Sequence, residues 1–215
     1  MIVQIYEVSS PTEAKELAKL GVDHTGVLVG KGKYPRELLI KDAKIIFQSL
    51  TSNTKKVALS LSNDLEEISE IIEQLNPDIF HLGITEEILS LSKVKEIRKK
   101  YPKLKIMRSI AVVNEESIGL AKEYEEIADF LLLDTYKSQL GATGEVHNWD
   151  ISQKIVEAVK IPVILAGGLG PDNVAEAIKK VKPAGVDSKT KTDKINSHEK
   201  DMDKVKEFVK IAKSF

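Results

Sequence analysis

The stretch Ile161-Pro-Val-Ile-Leu-Ala-Gly-Gly-Leu-Gly-Pro-Asp-Asn-Val174 decides how this chain folds. Its apolar, β-branched opening reads as a buried strand. Two glycines then turn the backbone sharply, and Pro171-Asp-Asn opens a helical pattern. Glycines at such a join leave backbone N–H groups uncovered by any Cβ, and a phosphate can lie against them. A lone Gly-Gly pair is more often a tight turn that only glycine fits. Repetition changes the reading here, because the strand-to-helix alternation runs the length of the chain and this loop falls near its end.

Working outward, eight strand patterns stand out: Ile2–Tyr6, His24–Val29, Lys56–Leu61, Asp78–Leu82, Leu104–Ser109, Asp129–Asp134, Ile161–Ala166 and Ala184–Asp187. Helical patterns lie between and after them, over Pro11–Leu20, Arg36–Leu50, Asp64–Leu75, Glu86–Tyr101, Asn114–Ile127, Asp150–Val159, Pro171–Val181 and His198–Phe215. Proline at the start of the first and glycine at its end are helix punctuation, and several others open on an Asp or Asn cap. The last helix carries Met202, Val205, Phe208, Val209 and Ala212 on one face, so it should pack down. This alternation predicts an α/β chain folded as a single (β/α)8 TIM barrel, one domain over residues 1–215. An open doubly wound sheet would show its glycine fingerprint after the first strand, where this chain has Tyr6-Glu-Val-Ser9.

Composition narrows the function classes. The 215 residues are 42% hydrophobic and 30% charged, with a net charge of −1, so nothing in the balance calls for nucleic acid or an anionic membrane surface. No apolar run approaches the roughly 20 residues that span a bilayer. The first residues begin directly with strand-like alternation, without the regions of a signal peptide, which predicts a cytoplasmic protein. Cysteine is absent, removing disulfides, thiolate zinc sites and cysteine nucleophiles. His24, His147 and His198 have no metal-ligand spacing among themselves, so a zinc site is not expected. Gly30-Lys-Gly-Lys33 fails the Walker pattern, because no Gly-Lys-Ser/Thr follows at the required distance.

In a barrel of this type the chemistry sits in the loops after the carboxyl ends of the strands, with phosphate held after strands seven and eight. Those loops present Tyr6 and Glu7, the Lys31–Arg36 segment, His81, Arg108, Asp134, the segment from Gly141 to Trp149, Gly167-Gly168, and Ser188 to Asp193. Gly167, Gly168, Ser188, Lys189 and Thr190 are therefore the expected phosphate ligands. A lysine beside a phosphate loop is chemically sensible.

Several of these motifs together resemble one family. Leu131-Leu-Leu-Asp-Thr135, Gly141-Ala-Thr-Gly144 leading to Asn148-Trp149, Ala166-Gly-Gly-Leu-Gly-Pro-Asp-Asn-Val174 and Gly185-Val-Asp187 look like phosphoribosylanthranilate isomerase, in that family's order. Lys200-Asp201 resembles the pair opening its last helix. The resemblance implies an aldose–ketose isomerase of tryptophan synthesis, an intramolecular oxidoreductase that performs an Amadori rearrangement of an N-linked ribose phosphate without metal or cofactor. It implies that Asp134 is the general acid and that Arg36 places the anthranilate portion. His81, Arg108, Gly141, Thr143 and Gly144 complete the expected substrate contacts. The expected partner is a small phosphorylated sugar, and the chain is expected to be a monomer or homodimer.

The chain departs from the family where the base should be. In place of Lys-Ile-Cys-Gly-Ile-Thr it has Gln4-Ile-Tyr-Glu-Val-Ser9, so Tyr6 stands where the family has its cysteine. A phenol with a reference pKa near ~10 is a poor base at neutral pH. Glu7 could serve, yet neighbouring strand residues point to opposite faces, and Glu7 needs a twist or bulge to reach the mouth. The family's Val-Gln-Leu-His-Gly becomes Phe80-His-Leu-Gly-Ile84, and its serine-rich loop becomes Ser188-Lys-Thr-Lys-Thr192. An alternative stays open: a barrel of the same family, altered or silent in catalysis, that keeps the phosphosugar pocket.

Overall fold

Eight parallel strands close on themselves in sequence order, each paired with the next and the eighth with the first. The computed structural model describes residues 1–50, 53–84, 89–135 and 147–215. The strands are β1 (Ile2–Ile5), β2 (His24–Leu28), β3 (Lys55–Ser60), β4 (Ile79–Leu82), β5 (Lys105–Val112), β6 (Phe130–Thr135), β7 (Val163–Leu165) and β8 (Gly185–Ser188). The helices are α1 (Pro11–Lys19), α2 (Ile40–Ser49), α3 (Leu65–Leu75), α4 (Leu91–Lys100), α5 (Glu116–Glu125), α6 (Trp149–Ala158), α7 (Val174–Val181) and α8 (Met202–Ala212). The (β/α)8 barrel read from the alternation is the observed fold.

Element boundaries differ from the sequence pattern at three helix starts, and at one of them a side-chain cap sets the boundary. α8 starts at Met202, because the Asp201 carboxylate accepts from the backbone N–H groups of Asp203 and Lys204. The segment from His198 is thereby left in the loop. α2 starts at Ile40, leaving Arg36 outside the helix with φ 66°. α7 starts at Val174 after Asn173 has folded back on the glycine loop: its side chain donates to Gly168 O at 3.0 Å and accepts from Gly170 N at 2.9 Å.

Alternation along the strands makes two cores. Side chains facing the helices form the larger one, including Val3, Ile5, Phe80, Ile106, Ile110, Leu131, Leu133 and Val186, covered by residues such as Leu17, Ile68, Ile71 and Phe208. Burying each such side chain stabilises the fold by about 1.5–3 kcal/mol before entropy is counted. The smaller core fills the barrel: Tyr6, Val57, Ile79, Met107, Leu132, Ile164 and Ala166. The interior also holds polar side chains that satisfy one another, since His24 Nδ1 meets Gln4 Oε1 at 3.0 Å. Burial lowers the His24 pKa to about 4, so the ring is neutral.

Candidate active site

β1 ends at Ile5, and the turn beyond it shapes the mouth of the barrel. Tyr6 N donates to Ser188 O at 3.1 Å on the β8 side, and Val8 N donates to Gly26 O at 3.0 Å on the β2 side. Glu7 lies between these bonds in the left-handed region, φ 56°. A non-glycine residue there is uncommon and costs free energy unless its surroundings hold it. This turn supplies the bulge that strand alternation required of Glu7. The family's glycine at this position was the available sequence signal, because glycine marks positive φ.

The Glu7 carboxylate pairs with Arg36 Nε and lies 3.6 Å from Lys189 Nζ. Lys189 in turn lies 3.5 Å from the Asp193 carboxylate, whose other oxygen accepts from the fully buried Lys200 ammonium at 2.5 Å. Arg36 reaches further, with Nη1 3.0 Å from His198 Nδ1. One chain of charges therefore ties the β1 turn, the loop after β2 and the loop after β8. A buried cation needs such partners, since an unpaired one loses its hydration uncompensated.

Tyr6 turns the other way, into the barrel. Its ring lies where Gly26 has no side chain: a Cβ at Gly26 would sit 2.0 Å from Tyr6 Cε1. The phenol oxygen is 2.5 Å from His81 Nδ1, and His81 Nε2 is 2.6 Å from Ser109 Oγ. Burial pushes the Tyr6 pKa well up, with the Asp187 carboxylate adding to the shift, and lowers that of His81 to about 3. Both stay neutral, so a Tyr6 base and a His81 substrate contact, expected from the strand ends, give way to a buried Tyr–His–Ser hydrogen-bond chain. Arg108 also departs from expectation. Met107 beside it takes the inward position, so Arg108 faces the helices, donating to Leu82 O and Gly83 O at 3.0 and 2.7 Å with its guanidinium over the Tyr124 ring. It secures the end of β4 and does not point into the mouth.

Asp134 is the last residue but one of β6, its Oδ1 accepting from Thr135 N at 2.8 Å. Burial raises its pKa to about 6, partly offset by that hydrogen bond. A second carboxyl, not singled out from the sequence, stands beside it on β8. Asp187 is buried, and one of its oxygens has no hydrogen-bond partner. Burial, then the Asp134 and Glu7 carboxylates, push Asp187 well above the usual carboxylate range, while Gln4 and Lys200 oppose the rise. The inward parity of β8 was the signal that could have found it.

At the glycine loop, Gly167 and Gly168 both take positive φ, 84° and 64°. A Cβ on Gly167 would lie 2.5 Å from Thr135 Oγ1 and 2.9 Å from His147 Nδ1, so this glycine also lets β6 and the approach to α6 close in. His147 Nε2 bonds Ser152 Oγ at 2.6 Å, and burial lowers its pKa to about 4. Ser188 Oγ donates to Leu169 O at 2.6 Å, fastening the two loops, and Thr190 opens a short 3-10 turn, Thr190–Thr192. Lys191 lies over Gly170, 3.6 Å from Asp172. Gly141, Thr143 and Gly144 lie outside the described residues. Among the described residues, no group of three His, Cys, Asp or Glu side chains could hold a metal ion. No helix among them is long and apolar enough to cross a membrane.

A closed parallel barrel, with carboxyls at the strand ends and a glycine turn after β7, defines a (β/α)8 barrel of the phosphosugar type. The N-(5'phosphoribosyl)anthranilate (PRA) isomerase family matches residues 3–211, and the chain belongs to that family. The N-(5'-phosphoribosyl)anthranilate isomerase of Methanocella arvoryzae is 32% identical over 207 residues, covering 96% of this chain and 95% of its own. The solved phosphoribosyl anthranilate isomerase of Thermotoga maritima superposes with a TM-score of 0.85 at 26% identity over the whole of both chains. A further isomerase structure, 24% identical with a TM-score of 0.82 over the whole of both chains, was solved in complex with reduced 1-(o-carboxyphenylamino)-1-deoxyribulose 5-phosphate.

Proposed function

We propose that the chain isomerises N-(5'-phosphoribosyl)anthranilate in tryptophan synthesis, with Asp134 as general acid and Glu7 as general base in place of the family's cysteine. Family membership carries the reaction class. The assignment of the base rests on one observation: the left-handed backbone at Glu7 brings its carboxylate to the mouth, near enough to Asp187 to act on it, as Asp134 does from β6. The reading takes residues 1–215 as one domain, because β1 and β8 from the two ends of the chain close the same barrel.

Protonated Asp134 gives its proton to the furanose ring oxygen. The C1–O bond breaks as the nitrogen lone pair forms the C1=N iminium. Glu7 then takes the proton from C2, the C–H electron pair becomes the C1=C2 bond, and the iminium pair returns to nitrogen. The enolamine gains a proton at C1 and loses its hydroxyl proton to give the 2-ketose. Gly167, Gly168 and the main chain at Ser188–Thr190 hold the phosphate. Lys189, close to Glu7, adds positive charge between the phosphate and the base. Asp187, buried beside Asp134 and Glu7, is pushed toward its uncharged form, which eases its repulsion of their carboxylates.

Purified protein supplied with the substrate as it is made enzymatically should convert it, and the gene should restore growth to a tryptophan auxotroph lacking this isomerase. A pure, folded protein that binds the product analogue but neither converts substrate nor restores growth would overturn the assignment.

A further inference from the structure

Among the described residues, five that are not glycine have positive φ, and two of them, Glu7 at 56° and Arg36 at 66°, are partners in one ion pair. Left-handed backbone at a non-glycine residue needs something to hold it, and here each strained residue holds the other. The contact is nearly closed to solvent, with the side chains 12% and 25% exposed. Glu7 Oε2 and Arg36 Nε are both buried and find no better-aligned hydrogen-bond partner. The guanidinium is the one arginine among the described residues that reaches the mouth, since Arg98 ties the loop around Asp129 and Arg108 faces the helices. A carboxylate thus already sits on the group best shaped to receive one.

The proposed substrate has two anionic ends, a phosphate and an aryl carboxylate. The phosphate has its glycine corner. The carboxylate has Arg36, and Glu7 is on it. We infer that Arg36 changes partners during the cycle: it starts paired with Glu7, and the substrate's carboxylate displaces Glu7, releasing it to act as base.

The exchange follows from the charges around Glu7. Glu7 faces two cations, Arg36 and Lys189. The substrate's carboxylate takes Arg36 out of this set, and Glu7 is then free to turn toward C2. His198, on the other side of the guanidinium, keeps Arg36 in place while the exchange happens. Lys189 stays anchored to Asp193 and does not follow. Glu7 is therefore an internal competitor for the substrate's carboxylate. A ligand with the same phosphosugar but no carboxylate leaves the pair closed.

This inference rests on the substrate class proposed for the enzyme, and one experiment separates the two. Two ligands are titrated by calorimetry into wild type and Glu7→Gln: the reduced carboxyphenylamino-deoxyribulose phosphate, and its phenylamino counterpart without the carboxylate. Removing the competitor should tighten the carboxylate ligand about ten-fold and leave the other within two-fold. Glu7→Gly, which suits a positive φ, should tighten the carboxylate ligand equally, so the result does not depend on a strained variant folding. An unchanged or weakened Kd for the carboxylate ligand in both variants overturns the exchange, whatever turnover does. If the Kd tightens while Glu7→Gln keeps its turnover, the exchange stands and Glu7 is not the base. If turnover is lost and the Kd does not move, Glu7 is the base without the exchange.

Discussion

Two corners of the barrel mouth are built in opposite ways. Where β7 and β8 end, the surface is main chain and small side chains: Gly167, Gly168, Ser188 and Thr190, pinned by Asn173 and by the Ser188–Leu169 hydrogen bond. Where β1 and β2 end, it is long charged side chains holding each other, Arg36, Glu7 and Lys189. A backbone site is fixed by φ and ψ and has nothing to rearrange. A side-chain site can trade partners, and its chemistry depends on which partner is present. In the proposed reaction, binding that never changes belongs to the first corner, and proton transfer, which must change, to the second.

The largest effects should fall on the second corner. Glu7→Gln should lower kcat by about 10²–10⁴-fold, the range for a lost general base. Tyr6→Cys added to that variant should recover part of the loss, by placing a thiol where the family has its base. A double variant no better than Glu7→Gln alone would mean that the Tyr6 position cannot deliver a base. Asp134→Asn should cost about 10²-fold or more in kcat with product-analogue affinity nearly unchanged. For wild type, kcat/KM should fall as pH rises through about 6, because the acid form of Asp134 is depleted. That fall should vanish in Asp134→Asn.

The first corner should respond differently. Gly167→Ala places a methyl within 3 Å of Thr135 and His147 on a left-handed backbone. KM should rise by about ten-fold or more, with kcat far less affected, since overpacking typically costs about 1–3 kcal/mol. A Gly167→Ala enzyme whose kcat fell as far as that of Glu7→Gln would erase the distinction between the corners.

The same difference decides how legible each corner is in the sequence. Gly167-Gly168 after an apolar run is a local signal, because glycine itself specifies the turn. The barrel is legible for a similar reason: period-2 and period-3.6 patterns alternate along the chain, and each unit folds beside its neighbour. Arg108 was misplaced because strand-end position says nothing about facing, and one residue of register separates the mouth from the helices. His81 does face the barrel, but Tyr6 and Ser109 take both of its ring nitrogens. In the sequence Asp187 reads only as part of a family motif, with no site role, although β8 parity points it inward. Alternation argues against Glu7, and it fails at a single left-handed residue that a Glu in that place does not announce. Its partners come from residues 29 and 182 positions away, and no local pattern records those pairings.

A smaller effect tests how the strand-one corner is packed. Gly26→Ala should lower stability by about 1–3 kcal/mol, because the new methyl meets the Tyr6 ring at 2.0 Å. Most of that loss should be recovered in Gly26→Ala/Tyr6→Cys, where the ring is gone, as read from urea midpoints. Equal midpoints for the single and double variants would show that Tyr6 had moved aside without cost.

The smallest effect concerns the charge on Asp134 as a burden on the fold. Its pKa is raised from 3.8 to about 6, so the folded state binds its proton more tightly than the unfolded chain does. Below about pH 4 both states are protonated and the residue costs nothing. Between 4 and 6 the unfolded chain ionises first and stability falls, and above 6 the penalty is complete. Two pKa units set an upper bound of about 3 kcal/mol, and solvent screening reduces it to about 1 kcal/mol. Asp134→Asn carries no charge at any pH, so it should be the more stable protein at pH 8 and lose that advantage by pH 4. Thermal melts across that range would show the two curves converging as pH falls. A gap that stayed constant with pH would mean that Asp134 ionises in the mouth as freely as it does in water. The acid of the proposed reaction would then lose the environment that keeps its proton available.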